Sequence, residues 1–231
     1  MKLPTPKADE LFFLPLGGSG EIGMNFNLYG HKGKWLIVDC GVTFGDNVYG
    51  SIDVSMPDIV SLEQHKDKIC GLLLTHAHED HIGAVHHLWP YLRCPVYATK
   101  FAAEILIRKL SEVGLKDEVK INIISLNSIL NIADFKIEII SITHSILEPT
   151  SLLLETKAGK IFHTGDWKID YNPQMGKGIE TERLKKLSEE NILAMVCDST
   201  NIFEKGISGS EEDIIIPLTK IIKDCNNMIF V

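Results

Sequence analysis

The segment Thr75-His76-Ala77-His78-Glu79-Asp80-His81 places three imidazoles and two carboxylates within six residues, directly behind an apolar run that reads as a strand. So many titratable groups at a strand's buried end carry a heavy desolvation cost unless each finds a partner. A metal ion is one partner for all of them. Imidazole nitrogen and carboxylate oxygen suit zinc, and manganese accepts the same mixture with more oxygen. His76 and His78 lie two apart on extended chain and share a direction, while Asp80 and His81 begin the next turn and can face a second ion. The rival reading is a solvated polar loop in which Asp80 caps a helix; it accounts for any one of these residues but poorly for all four. A zincin helix is excluded by spacing: its histidines stand four apart with glutamate following the first, whereas His78 and His81 are three apart.

Elements able to position this cluster follow from apolar periodicity. Alternating or short apolar runs bounded by Gly, Asn and Asp predict strands at Leu11–Leu16, Asn25–Tyr29, Trp35–Asp39, Cys70–Thr75, Lys120–Ser125, Phe135–Ser141, Ser151–Glu155, Lys160–His163 and Leu193–Cys197. Helical spacing fits Ile82–Leu92, Lys100–Glu112, Thr181–Glu190 and Gly209–Asp224. The early strands follow one another through short turns such as His31-Lys32-Gly33. That predicts a layered α/β or α+β domain with much antiparallel pairing, unlike a strictly alternating βαβ chain. At the far end Met228–Val231 reads as the opening of another strand.

Composition narrows the setting. The chain has 231 residues, 45% hydrophobic and 23% charged, so it can bury a sizeable core and is neither disordered nor fibrous in character. No apolar run reaches the roughly 18 residues of a membrane span, and the first residues lack a secretion signal, so a cytoplasmic enzyme is the expectation. Cys40, Cys70, Cys94, Cys197 and Cys225 are scattered, form no CxxC pair, and read as small apolar residues in a reducing compartment. A net charge of −8 excludes holding a polyanion by bulk charge, so any such substrate must meet a local positive centre.

Gly18-Ser19-Gly20-Glu21-Ile22-Gly23 matches a dinucleotide-binding fingerprint, with Asp39 at about the distance of its ribose-binding acid. That fingerprint needs a helix opening at the third glycine. Met24–Tyr29 alternates like a strand instead, so no helix N-terminus is available to hold a pyrophosphate, and the nucleotide reading is rejected.

The spacing His76-x-His78-x-Asp80-His81 resembles the signature of the metallo-β-lactamase superfamily. The resemblance implies further ligands from later loops: His144 in Ser141–Ile146 and a bridging Asp166 in His163-Thr164-Gly165-Asp166-Trp167-Lys168. It also implies that Asp39, in Val38-Asp39-Cys40-Gly41, steadies a ligand loop from behind without binding metal. Taken alone, His144 would read as a core or turn residue and Asp166 as a Gly-Asp turn. Leu16–Asn25, Thr75–Ala84, Thr143–Ile146, Thr164–Lys168, Cys197-Asp198-Ser199-Thr200-Asn201 and Gly206–Glu211 together resemble the ribonuclease J family, in the β-CASP branch.

The fold this implies is an αββα sandwich, incomplete, occupying residues 1–205, with the start of a β-CASP insertion at 206–231. The implied site has His76, His78 and His144 on one zinc, Asp80 and His81 on a second, Asp166 bridging, and Asp198 near the metals, with Asp80, Asp166 and Asp198 as the catalytic acids. Members of that family are longer. Their β-CASP domain continues and the chain returns with two further active-site histidines, so the site within these residues is expected to lack one ligand of the second metal and part of the phosphate pocket. The implied activity is hydrolysis of RNA phosphodiesters, as 5′-exonuclease and endonuclease, on single-stranded 5′ ends, by a homo-oligomer without membrane contact. Lys168, Lys177, Arg183, Lys185 and Lys186 are candidates to guide the RNA backbone, although a solvated helix face accounts equally for the last three. Aromatic residues make up 7% and do not cluster in sequence, which leaves base stacking without an evident platform. Thioester or small-ester hydrolysis on the same pair of metals, and a metal- or partner-binding remnant with little turnover, are the alternatives.

Overall fold

Trp35, Leu36, Ile37 and Val38 are all fully buried, so this strand has protein on both faces. Trp35 and Ile37 join a cluster containing Leu28, Leu72 and Leu74. Leu36 and Val38 join another, with Tyr29, Phe135, Ile137 and Leu152. The period of two thus separates two cores. The computed structural model describes residues 3–45 and 53–228.

In chain order the elements are β1 (Phe12–Gly17), β2 (Phe26–His31), β3 (Lys34–Val38), β4 (Thr43–Phe44), β5 (Val54–Ser55), α1 (Val60–Glu63), β6 (Ile69–Leu73), α2 (Glu79–Ile82), α3 (Val85–Leu92), β7 (Val96–Ala98), α4 (Lys100–Glu112), β8 (Ile121–Ile123), β9 (Ile129–Ile132), β10 (Phe135–Ser141), β11 (Thr150–Thr156), β12 (Gly159–His163), α5 (Thr181–Leu187), β13 (Ile192–Val196) and α6 (Glu212–Asp224). One sheet has the order β1-β2-β3-β6-β7-β8 and the other β13-β12-β11-β10-β9. Their facing sides share one core. Leu88, Trp89 and Leu92 of α3, with Ala102, Leu106 and Leu110 of α4, cover the outer face of the first sheet. Leu184 and Leu187 of α5 pack on Ile140, Leu153 and Phe162 behind the second. The layers are therefore α/β/β/α, as expected.

Strand direction sets where function can sit. β3, β6, β7 and β8 run parallel. β10 and β12 are both antiparallel to β11, and β13 is parallel to β12. The loops leaving β3 and β6 therefore share one edge of their sheet, and those leaving β10, β12 and β13 share one edge of theirs.

The glycine-rich loop at 18–23 opens no helix. Gly18, Gly20 and Gly23 sit at φ of +81°, +81° and +85°, and the chain enters β2. The expected helix Ile82–Leu92 is two pieces, α2 starting three residues earlier and α3, parted at Gly83-Ala84. Helix α6 buries none of its residues and starts at Glu212, later than Gly209. The strand expected at Met228–Val231 lies outside the described residues from Ile229 onward. Among the described residues no helix is long and apolar enough to cross a membrane.

Candidate metal centre

The two sheet edges are fastened to each other at the site. Thr150 donates to the Thr75 carbonyl through both its N–H (3.1 Å) and its hydroxyl (2.9 Å), joining the start of β11 to the loop after β6. The loop after β6 carries His76 and His78 in extended conformation, and α2 then turns Asp80 and His81 inward, with the His81 and Ile82 amides both donating to the His78 carbonyl at 2.9 Å. The loop after β10 brings in His144, and the loop after β12 brings in Asp166.

Two sets of donor atoms result, each within 4.8 Å of one another: His76, His78, His144 and Asp166 in one, Asp80, His81 and Asp166 in the other. Asp166 is common to both. His78 Nδ1 lies 3.1 Å from His76 Nε2 and 3.1 Å from His144 Nε2. Three imidazole nitrogens facing one another cannot all be satisfied by hydrogen bonds, because a neutral ring nitrogen either donates or accepts. A cation receiving all three lone pairs resolves the conflict, so the donor set fits a divalent metal.

Asp39 organises this arrangement from behind. Fully buried, it accepts from the Thr75 amide (2.8 Å), the Thr75 hydroxyl (2.9 Å) and His81 Nδ1 (2.8 Å). The Thr75 hydroxyl, donating to Asp39, can then accept from His76 Nδ1 at 3.0 Å. Both rings are thereby held with Nδ1–H pointing back and Nε2 pointing into the site, the role such outer partners play around metals. Burial and the neighbouring His81, His144 and His78 push the His76 pKa well below its ordinary value, so the ring is neutral. His78 and His144 are also lowered, chiefly by burial. His81 goes the other way: burial opposes its charge, but Asp39, Asp166 and Asp80 outweigh burial and raise it well above the usual imidazole range. Its Nε2 stands 3.2 Å from Asp166 Oδ1 and 3.4 Å from Asp80 Oδ2. Burial works against both carboxylates, and His81 nevertheless holds them below the usual range.

The sequence patterns did not reveal several supports. Asn25 Nδ2 donates to Asp80 Oδ2 at 3.4 Å and lies 3.1 Å from His81 Nε2; the glycine-rich loop delivers it there. Cys40 and Val42 run along the α2 backbone, donating to the carbonyls of His81 (2.7 Å) and Glu79 (3.1 Å). At Gly41 between them a Cβ would meet the Asp80 carbonyl oxygen at 1.7 Å, so only glycine allows this approach. His163, at the end of β12, is buried and pairs with the Tyr29 hydroxyl at 2.8 Å.

Asp198 lies outside both donor sets. Its carboxylate accepts from the Thr200 hydroxyl (2.7 Å) and the Thr200 amide (3.0 Å) and, at 3.4 Å, from the Trp167 amide, so it ties the loop after β13 to the loop of Asp166. Three of the basic candidates are engaged elsewhere: Lys168 with Asp170 and Glu211, Arg183 with Glu138 and Glu190, Lys185 with Glu182.

Comparison with known proteins gives a consistent picture. The profile of the metallo-beta-lactamase superfamily matches residues 23–168. The chain is 42% identical, over 96% of its length, to ribonuclease J of Sinorhizobium meliloti, of which it covers 40%. It is 36% identical over 93% of its length to ribonuclease J of Helicobacter pylori, of which it covers 31%. The chain thus spans two fifths or less of these relatives. A crystal structure of a protein of unknown function from Enterococcus faecalis superposes with a TM-score of 0.63 at 17% identity, covering 93% of this chain and 58% of that one, a likeness of fold. The superfamily and the His/Asp cluster together imply a divalent metal.

Proposed function

The chain belongs to the metallo-β-lactamase superfamily, and from that premise we propose that it carries the metal-binding part of an RNA phosphodiester hydrolase of the ribonuclease J kind. The observation that supports the reading most is the meeting of His76, His78, His144 and Asp166 within 4.8 Å, beside a second set that shares Asp166. In this proposal His76, His78 and His144 hold one ion, Asp80 and His81 the other, and Asp166 both. When bound there, two divalent ions, zinc by ligand preference and manganese as the alternative, would supply positive charge for the phosphoryl oxygens and would acidify a water. Asp39 and Thr75 keep the His76 and His81 Nε2 atoms aimed forward, and Asn25 holds the Asp80 carboxylate. Asp198, outside both donor sets, ties the loop after β13 to the loop of Asp166 through the Trp167 amide, and in this proposal it acts from the same rim. The cationic centre answers the charge problem of a chain of net charge −8, since it draws a phosphate locally.

The likeness to ribonuclease J favours RNA over the thioester alternative, and single-stranded 5′ ends as substrate are part of the proposal. A cytoplasmic location, homo-oligomer formation and a domain boundary near residue 205 belong to the same proposal. The test offers the metal-loaded protein labelled 5′-monophosphorylated RNA beside a thioester. RNA cleavage that disappears in His78→Ala is expected. Rapid thioester cleavage with intact RNA overturns the substrate reading, and a His78→Ala variant that loses metal without any change in rate points to the non-catalytic remnant.

A further inference from the structure

We propose that the indole of Trp167 is a stacking surface for a nucleobase beside the scissile phosphate, and that it gives the site its preference for unpaired nucleic acid; this rests on RNA being the substrate. The three tryptophans differ sharply. Trp35 is fully buried and stacked with Phe12, and Trp89 is 5% exposed, with Arg93 above its ring and its Nε1 bonded to the Cys94 carbonyl. Trp167 is 37% exposed, and among the described residues its ring has no aromatic or cationic partner.

Its position makes the exposure useful. Trp167 follows Asp166, the residue common to both donor sets. The backbone is pinned on both sides: the Trp167 amide donates to Asp198, and the Lys168 amide donates to the Thr143 carbonyl at 2.9 Å, one residue from His144. The ring therefore stands on a segment anchored at two points, one of them a single residue from the proposed ligand His144. An aromatic face recognises any base, and a base in a duplex is already stacked and cannot offer its own. The chain's acidity leaves few other ways to hold a flanking nucleotide, since Lys168 is already paired with Asp170 and Glu211.

The experiment uses the metal-loaded protein and phosphorothioate-linked oligomers that resist hydrolysis, so that the cationic centre is present while the oligomer stays intact. Anisotropy of a labelled, single-stranded oligouridylate gives affinity, and an abasic ribose-phosphate oligomer of equal length is the control. With two of the three indoles buried, quenching of tryptophan emission by the oligouridylate reports on Trp167. We expect quenching in the parent, a loss of about 10-fold in affinity in Trp167→Ala, near-parent affinity in Trp167→Phe, and equal affinity of parent and Trp167→Ala for the abasic oligomer. Equal binding of oligouridylate by parent and Trp167→Ala overturns the role of Trp167 and leaves the RNA reading standing. A parent that binds neither oligomer overturns both.

Discussion

The two sheets contribute to one centre in different ways. The first supplies His76 and His81, buried to 1% and 2% exposure and wired through Thr75 and Asp39, together with the more exposed His78 and Asp80. The second supplies His144 and Asp166, whose side chains are 18% and 28% exposed and which are held chiefly by the backbone of their loops. The first half is thus built as part of the core, with stability depending on its polar bonds, whereas the second half can be altered at little structural cost. Asp39→Ala should break the first half most severely. It leaves the Thr75 amide and His81 Nδ1 unpaired in the interior, which costs about 3–5 kcal/mol and lowers Tm by about 10 °C or more in calorimetry. Metal affinity should fall by about 10- to 100-fold.

His163 lies where the halves meet, and burial pushes its pKa down to about 4. The unfolded chain binds this proton near pH 6.5 while the folded chain does so only near 4, so stability is lost as pH falls between those values. The gap corresponds to about 3 kcal/mol. Urea melts of the metal-free protein at pH 7.5 and 4.5 should show this loss, and His163→Gln should show a smaller pH dependence than the parent. An identical slope in both proteins removes His163 from the account.

Gly41→Ala tests how tightly the first half is assembled. The added Cβ meets the Asp80 carbonyl, a backbone atom that can yield only by moving α2 away from β3. The expected loss is about 1–3 kcal/mol, together with weaker metal binding at Asp80 and His81. Unchanged stability and metal content would mean that α2 is free to shift.

What sequence periodicity could reach follows the same division. Lys100–Glu112 was legible to both ends because thirteen residues carry several turns of apolar spacing. β4, β5 and β7 were not, being two or three residues long and too short to display a period; β9 has only four residues, two of them exposed. The dense cluster at 76–81 declared itself by composition, while His144 and Asp166 required a family resemblance because each is an isolated residue after a strand. Asn25 lies 55 residues from Asp80, inside a loop whose glycines drew attention to nucleotide binding instead. The Thr75 hydroxyl had no signal at all, since its part depends on meeting Asp39 across two neighbouring strands.

His144→Ala is the smallest structural perturbation and the sharpest contrast with Asp39→Ala. His144 is partly exposed, and its ring contacts are with His78, His76 and Asp166, groups that solvent can serve once the ring is gone. Stability without metal should therefore change by only about 0.5 kcal/mol. One donor set nevertheless loses a ligand, so elemental analysis should find about half the parent's metal after dialysis, and metal should raise the variant's Tm less than the parent's. A His144→Ala protein that melts as far below its parent as Asp39→Ala would show that the second half is as much a part of the core as the first, and the division between the two sheets would fail.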